Sequence, residues 1–398
     1  MKILLIHPHD IYSPNEPWTI RIVSLAREFR SKGHQVRLAY APLEVREAKR
    51  SVELEGVELI TLTRKAGLGS LFANIKKIKK CAEWADIIHF QKCFHYIAIP
   101  ALVSGFLLDK PLHYDWDDWE EKIWYHSNRE SMHTAIFGNF VRILERFLPV
   151  LADTVSVASK KLGDLCIGFG VRPCRIFKAP VGADLRRFSP LISGERIKRK
   201  YHLENSRVVL YLGQLHAGQY VDMFIQAANA VLHKQPDAVF WILGQGYMEH
   251  HLRQAAIDYG IEDKVFFMGS VPHDLIPQYI GAADICVACF EDNEVTVCKS
   301  PLKIVEYLAS GKAIVASLVG ETRNMVGGAG FLVEPGDYHS LADAIVNVLR
   351  NPRLEQELGQ RARLRAERRY NWENTAGNII RAYETAIALH KNNVGGEI

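Results

Sequence analysis

Lys299, Lys303 and Glu306 stand in the segment 282–317 at spacings that suit a phosphorylated, sugar-bearing ligand. Lys299 and Lys303 are four apart, which puts them on one face of a helix. Ser300 is expected to cap that helix, with Pro301 in its first turn, where no backbone donor is lost. A helix start offers free N–H groups and partial positive charge, so with two lysines it would hold an anion such as a diphosphate. Glu306 lies three residues past Lys303, roughly 4.5 Å along the axis at about 1.5 Å per residue. Its carboxylate would then reach the next group of the ligand, such as ribose hydroxyls. The bland alternative is a solvated helix on which Lys303 and Glu306 simply pair.

Other residues could serve the same ligand. Gly244 and Gly246 form a G-x-G after an apolar run, where small residues let a backbone approach phosphate or simply make a turn. Gly213, Gln214 and His216 occupy a similar position after another apolar run. Pro111–Trp119 combines Asp115, Asp117 and Asp118 with two tryptophans, Trp116 and Trp119, which reads either as a chemical cluster or as a polar loop over buried indoles. The loop His7–Trp18 contributes His9, Asp10 and Trp18, either facing a second substrate or as solvated loop residues. Cys286 and Cys289 have a metal or redox spacing, but they sit in an apolar run with no second pair and read as core.

These residues need elements to position them, and the chain supplies alternating strand and helix patterns. Expected strands are Lys2–His7, Gln35–Tyr40, Val57–Leu62, Asp86–Phe90, Pro111–Asp115 and Thr154–Val157. Helical patterns are Thr19–Ser31, Leu68–Trp84, Tyr96–Leu108 and Ile136–Leu151. A second series has strands at Val208–Leu212, Ala238–Leu243, Lys264–Met268, Ile285–Ala288, Ala313–Ala316 and Phe331–Val333. Such alternation predicts an α/β protein with two doubly wound parallel sheets. Ligands of such sheets bind outside the carboxyl ends of the strands. Between the series, Ala179–Pro190 reads as an irregular linker, and 193–205 as a short linking helix.

The segment 282–317 resembles the donor-site signature of the GT-B retaining glycosyltransferases of family four. It shares Ala283-Asp284, Asp292, Lys299-Ser300, Leu302-Lys303, Glu306-Tyr307, Ala309, Gly311 and Ala316-Ser317. The linker resembles the family's through Gly182, Asp184, Phe188 and Pro190, and the end, from Tyr370-Asn-Trp-Glu onward, resembles its closing helix. The resemblance implies two Rossmann-like domains facing a cleft: 1–182 on the acceptor side, 183–371 on the nucleotide-sugar donor side, and 372–398 as a helix packing back on the first. It implies that Glu306 binds the nucleotide ribose and that Asp292 or Glu294 holds sugar hydroxyls. Ser300, Pro301, Leu302, Gly213, Gln214, His216, Gly244 and Gly246 would border the donor. Asp117, Lys299 and Lys303 would be catalytic, and His9, Asp10, Trp18, Asp115 and Asp118 would lie on the acceptor side.

Three positions depart from the family. Many relatives carry cations where this chain has Gln214 and Tyr220, and a first glutamate where it has Cys298. The diphosphate charge would then rest on Lys299 and Lys303. The expected activity is transfer of a sugar from a nucleoside-diphosphate-sugar to a glycan or lipid-linked glycan hydroxyl, with retention, as in polysaccharide biosynthesis. The nucleotide sugar is a substrate, and neither cofactor nor metal is expected. A sugar-nucleotide epimerase of the same fold and a non-catalytic scaffold are the alternatives.

Length and composition fit this class. The 398 residues suffice for two domains, and a net charge of +4 gives no reason to expect nucleic acid as a partner. The run at the N-terminus is too short for a signal segment, so a cytoplasmic location is expected. The pattern Leu68–Trp84 makes a basic amphipathic helix, with Leu68, Leu71, Phe72, Ile75 and Ile78 on one side and Lys76, Lys77, Lys79 and Lys80 elsewhere. It either packs on the sheet with a solvated lysine face or makes peripheral contact with anionic lipid at the inner membrane face.

Overall fold

A computed structural model describes residues 1–12, 16–43, 54, 56–65, 67–128, 131–216 and 220–394. Ser13–Asn15 of the first loop and Ala217–Gly218 beyond His216 lie outside the described residues. The chain forms two compact units. The first comprises Met1–Pro180, Cys298–Ser300 and Trp372–Ile398, and the second Val181–Val297 and Pro301–Asn371.

In the first unit the strands are β1 (Lys2–His7), β2 (Gln35–Tyr40), β3 (Val57–Thr61), β4 (Ile87–Gln91), β5 (Leu112–Trp116), β6 (Thr154–Val157) and β7 (Ile176–Lys178). They pair in the order β3-β2-β1-β4-β5-β6-β7. All pairings are parallel, with Ile3 level with Val36 on one side and Ile87 on the other. The helices are α1 (Pro17–Ser31), α2 (Leu68–Ala82), α3 (His95–Leu108), α4 (Glu120–Ser127), α5 (Met132–Leu151) and α6 (Lys160–Gly168).

The second unit repeats this plan. Its strands are β8 (Arg207–Leu212), β9 (Ala238–Leu243), β10 (Val265–Gly269), β11 (Ile285–Ala288), β12 (Ala313–Ser317) and β13 (Gly330–Val333), ordered β10-β9-β8-β11-β12-β13 and again wholly parallel. The helices are α7 (Glu195–Lys200), α8 (Val221–Leu232), α9 (Glu249–Asp258), α10 (Ile276–Ala282), α11 (Leu302–Ala309), α12 (Thr322–Val326), α13 (Tyr338–Leu349) and α14 (Pro352–Arg368). The last helix, α15 (Trp372–Val394), belongs to the first unit and packs on α1, β6 and β7. Cys286 and Cys289 are buried thiols in and just after β11, as an apolar strand requires.

Several local expectations need correction. Helix α4 was not expected, because its Glu-Glu-Lys-Ile-Trp-Tyr-His-Ser run lacks apolar periodicity. Its first turn is instead held from outside: Glu145 of α5 accepts from the Glu120 and Glu121 backbone N–H groups, both at 2.8 Å. Helix α5 starts four residues before Ile136, because the Ser131 hydroxyl accepts from the Thr134 N–H and caps it there. Helix α11 begins at Leu302 with Pro301 as its N-cap residue and no side-chain cap, so Ser300 does not cap it. Helix α2 does not bury the apolar side expected. Asn74, Ile78 and Ala82 are buried, while Leu68 and Phe72 are exposed.

A buried polar network ties α1, the sheet and α15 together. The Arg21 guanidinium donates to both Asp115 oxygens at 2.7 Å and to the Ala179 carbonyl at 3.0 Å. Asp115 is fully buried, and Arg21 and His89 hold it well below the usual carboxylate range against the opposing effect of burial. Asp115 is therefore a structural ion-pair partner, not an acceptor-side group. The His89 ring meets the Tyr383 hydroxyl of α15 at 2.7 Å, and His113 lies 2.9 Å from both Thr154 and Ser156.

Burial pushes His89 down to about 4, pushes His7 down to about 3, and holds His113 well below its ordinary value. The unfolded chain protonates these rings near their usual value of about 6.5, while the folded chain does not. Stability is therefore fully present above that value and is lost as pH falls below it. Glu145 opposes part of this, since burial raises it to about 8 and its charging weakens the fold as pH rises from the ordinary carboxylate range. Burial also raises Asp117, Glu120 and Glu355, which act in the same direction as Glu145, while it lowers His34 and His95, which add to the three histidines. Unfolding near pH 5.5 should take up more than about one proton, read from the slope of unfolding free energy against pH. A flat profile between pH 6.5 and about 4 would contradict this burial account.

Candidate functional site

In the second unit the candidate site gathers at the carboxyl ends of β8, β9, β10 and β11. Lys303, in the first turn of α11, is half-buried between two rings. Its Nζ lies 4.4 Å from the Tyr211 ring centre, 5.2 Å from that of Phe290 and 3.4 Å from the Tyr211 hydroxyl. A cation against two aromatic faces is attracted by both quadrupoles and loses much of its rotamer freedom. Lys303 is thus aimed before any ligand arrives.

The glycine loops close around the same ammonium. A Cβ on Gly213 would stand 2.5 Å from Lys303 Nζ, and Gly213 has φ +147°. A Cβ on Gly244 would fall 1.8 Å from the Gly213 carbonyl oxygen, and one on Gly246 2.1 Å from that of Leu215. The loops are also stitched together, with the Gly213 N–H on the Leu243 carbonyl at 2.8 Å and the Leu215 N–H on that of Gln245 at 3.1 Å. No other residue permits this approach of backbone to backbone. The G-x-G is therefore more than a simple turn.

One turn along α11, Glu306 is buried rather than solvated, and it does not pair with Lys303. Its Oε1 lies 2.8 Å from His273 Nε2. On the far side of that ring, Arg187 places its guanidinium 3.2 Å from His273 Nδ1 and 3.2 Å from the His273 carbonyl. A guanidinium only donates, so Nδ1 accepts, and Nε2 carries the proton it donates to Glu306. The linker builds this support. Asp184 Oδ1 accepts from the Arg186 and Arg187 backbone N–H groups at 3.0 and 3.2 Å. That turn puts Arg187 on His273 and packs buried Phe188 against the same ring, 5.8 Å between centres.

The acidic loop is organised by a residue that the sequence reading passed over. Asn293 Oδ1 accepts from the Val295 and Thr296 N–H groups, both at 3.0 Å, and its side-chain amide donates to Glu291 at 3.2 Å. Asp292 and Glu294 flank it and are exposed. Gln214 is exposed, His216 is half-buried, and Tyr220 adopts a left-handed φ of 51° ahead of α8. Cys298, Lys299 and Ser300 group with the first unit; Lys299 and Ser300 are half-buried, and Cys298 is fully buried at the end of a short 3-10 turn, Thr296–Cys298.

In the first unit a second cluster forms where β1, β4 and β5 end. Lys92 follows β4 with φ 67°, a strained backbone for a lysine, and its ammonium is buried. It lies 3.0 Å from Asp117, 3.1 Å from Asp118 and in contact with Glu120, over the Trp18 ring at 5.0 Å. Burial would push Lys92 down, but the three carboxylates hold it well above its ordinary value. Asp117 is pushed up by burial, against the pull of Lys92. A neutral relay reaches it from β1. His7 donates through Nδ1 to Gln91 Oε1 at 2.8 Å, and Gln91 donates through Nε2 to Asp117 Oδ2 at 2.9 Å. His9 stacks on Trp18 at 4.8 Å and meets Glu16 at 2.8 Å. Asp10 is buried and accepts from the Tyr12 N–H at 2.9 Å, so it shapes the loop.

Residues 19–187 match the model of Glycosyltransferase Family 4, and residues 206–351 that of Glycosyl transferases group 1. A D-inositol 3-phosphate glycosyltransferase of Corynebacterium glutamicum is 28% identical over 269 residues, which are 64% of this chain and 62% of that protein. An MMP alpha-(1->4)-mannosyltransferase of Mycolicibacterium hassiacum is 24% identical over 76% of this chain and 71% of its own length. Among solved structures, Anabaena HepE in complex with UDP-glucose superposes with a TM-score of 0.74 at 19% identity, over 97% of this chain and 100% of that one. WaaG, a glycosyltransferase involved in lipopolysaccharide biosynthesis, gives 0.69 at 15% identity, over 95% and 99%. At these identities the structural likeness is one of fold.

The first-unit cluster makes a direct prediction. Lys92→Met leaves three carboxylates facing one another with little water, and should cost about 3 kcal/mol or more of stability at neutral pH. Protonation relieves that repulsion, so the deficit should shrink toward about pH 4. Thermal or urea unfolding of both proteins across that range checks it, and a deficit that does not vary with pH would contradict it.

Proposed function

Because the chain belongs to glycosyltransferase family 4 and has the GT-B fold, we propose that it moves a sugar from a nucleoside-diphosphate-sugar to an acceptor hydroxyl with retention of configuration. The observation that carries this reading is the preset of α11. Lys303 is aimed by two rings beside Gly213, and Glu306 is fixed one turn away by His273.

In this reading the diphosphate lies over Gly213 and Gly244, whose missing side chains let backbone N–H groups approach it. Lys303, with Lys299, offsets the charge that grows on the departing diphosphate. Such fixed charge stabilises the transition state without having to reorganise. Glu306 accepts from ribose hydroxyls while the Arg187–His273 pair keeps it in place. Asp292 or Glu294 takes sugar hydroxyls. A departing phosphate oxygen takes the acceptor proton on the sugar face where the new bond forms, which preserves configuration and needs no metal. Asp117, raised by burial and steadied by Lys92 and Gln91, positions the acceptor. Lys76, Lys77 and Lys80, exposed on α2, favour contact with anionic lipid and so a lipid-linked glycan as acceptor. UDP-sugars are the first donors to test, since HepE was solved with UDP-glucose.

One feature favours a second reading, a scaffold that binds nucleotide without turnover. Gln214 and Tyr220 supply no cation to the diphosphate, and Tyr220 ends its loop in a left-handed turn.

The roles of Glu306 and Lys303 separate in one comparison. A charge-assisted hydrogen bond to ribose contributes about 1.5–3 kcal/mol, or roughly ten- to a hundredfold in affinity. Wild-type protein should bind a nucleoside diphosphate that much more tightly than its 2′,3′-dideoxy analogue, and Glu306→Ala should lose the difference. Lys303→Ala should weaken both analogues alike and depress turnover. Unchanged donor affinity and turnover in both variants would remove the assignment.

A further inference from the structure

Helix α5 carries two apolar faces, and only one of them is covered by the fold. Thr134, Gly138, Val141, Glu145, Leu148 and Pro149 are buried. On the other side Met132, Ile136, Ile143 and Phe147 are exposed by 80, 64, 51 and 54%. Phe140 and Val150 are exposed with them. At about 100° per residue these six side chains fall within one sector roughly 80° wide. The stripe runs the length of a 20-residue helix, about 30 Å at 1.5 Å per residue. A soluble protein has no reason to align six large apolar side chains in water.

The charges around the stripe identify what would cover it. The one acid of α5, Glu145, is buried and turned inward to cap α4, whereas Arg142 and Arg146 are exposed beside the stripe. Helix α3 touches α5 and packs along α2. It exposes Phe106 and Leu107, and α2 exposes Phe72, Lys76, Lys77 and Lys80 with no acid between Leu68 and Ala82. Apolar side chains rimmed by exposed cations, on helices α2, α3 and α5 that carry no exposed acid, are the composition of a helix that lies in a bilayer interface.

We propose that α5 docks the first unit on an anionic phospholipid bilayer, with Met132, Ile136, Phe140, Ile143 and Phe147 entering the headgroup–acyl boundary and the arginines and α2 lysines meeting the headgroups. This extends the lipid contact proposed for α2 and assigns insertion to a different helix. It does not depend on the transfer chemistry.

The test is flotation of the whole protein with vesicles of phosphatidylcholine alone, and with about a third phosphatidylglycerol. Wild-type protein should float with the anionic vesicles, less so at high salt. The triple variant Ile136→Asp, Ile143→Asp, Phe147→Asp alters exposed positions only. It should bind about tenfold less or worse, with an unchanged circular dichroism spectrum and unfolding midpoint. Lys76→Glu with Lys80→Glu should weaken binding to anionic vesicles alone. The inference is overturned if wild-type protein floats with neither vesicle or if the folded triple variant floats like wild type. It is also overturned if light scattering shows a wild-type dimer that the triple variant splits, which would make the stripe a contact between copies. Nucleotide affinity of the triple variant should equal that of wild type, so failure here and failure of the donor site are read separately.

Discussion

Every strand pairing in both sheets is parallel, and this constraint sends the carboxyl end of every strand in a unit to the same edge of its sheet. The first unit uses that edge to bring together His7, Gln91, Lys92 and Asp117 from β1, β4 and the turn after β5. The second uses it to bring together Gly213, Gly244, His273 and Phe290 from the ends of β8, β9, β10 and β11. Apart from the adjacent Gln91 and Lys92, none of these groups is near the others in sequence. A strand reversed or shifted by one residue would turn its side chains to the other face and dissolve both clusters.

Within that frame, each unit solves the same electrostatic problem differently. Lys92 is buried by force of charge, with three carboxylates around one ammonium and a strained backbone beneath it. Lys303 is held between two aromatic faces, which orient its ammonium. In the proposed function the first arrangement, with more carboxylates than cations, places the acceptor hydroxyl, and the second, an ammonium oriented beside Gly213, meets the donor diphosphate.

The sequence carried the architecture well, because buried parallel strands are apolar runs and their spacing is regular. It also carried the placement of Lys303 and Glu306 on one helix, because helix periodicity relates residues three and four apart. It did not carry their partners. Tyr211 and Phe290 look like ordinary strand residues, His273 lies 33 positions from Glu306, and Arg187 lies 86 from His273. Lys92 had no visible reason to be buried until β5 brought three acids to it. The misreadings were local choices overruled by tertiary contacts. Ser300 has the chemistry of a cap but stands one residue too early, α4 is capped from another helix, and α2 buries Asn74 in preference to Phe72. The polar signal in Gln214 and Tyr220 was legible as a departure, and the structure supplies Lys303, preset, as the cation beside that loop.

The account stands or falls on whether this preset site takes a nucleoside diphosphate. The most direct measurement is calorimetric titration of the full chain with UDP, GDP and ADP in turn, each followed by its sugar nucleotide. The account predicts saturable binding of one base class to a single site, in the micromolar range of about −8 kcal/mol, for both the diphosphate and its sugar. Absence of heat and of competition for all three bases, with the protein folded, would contradict it.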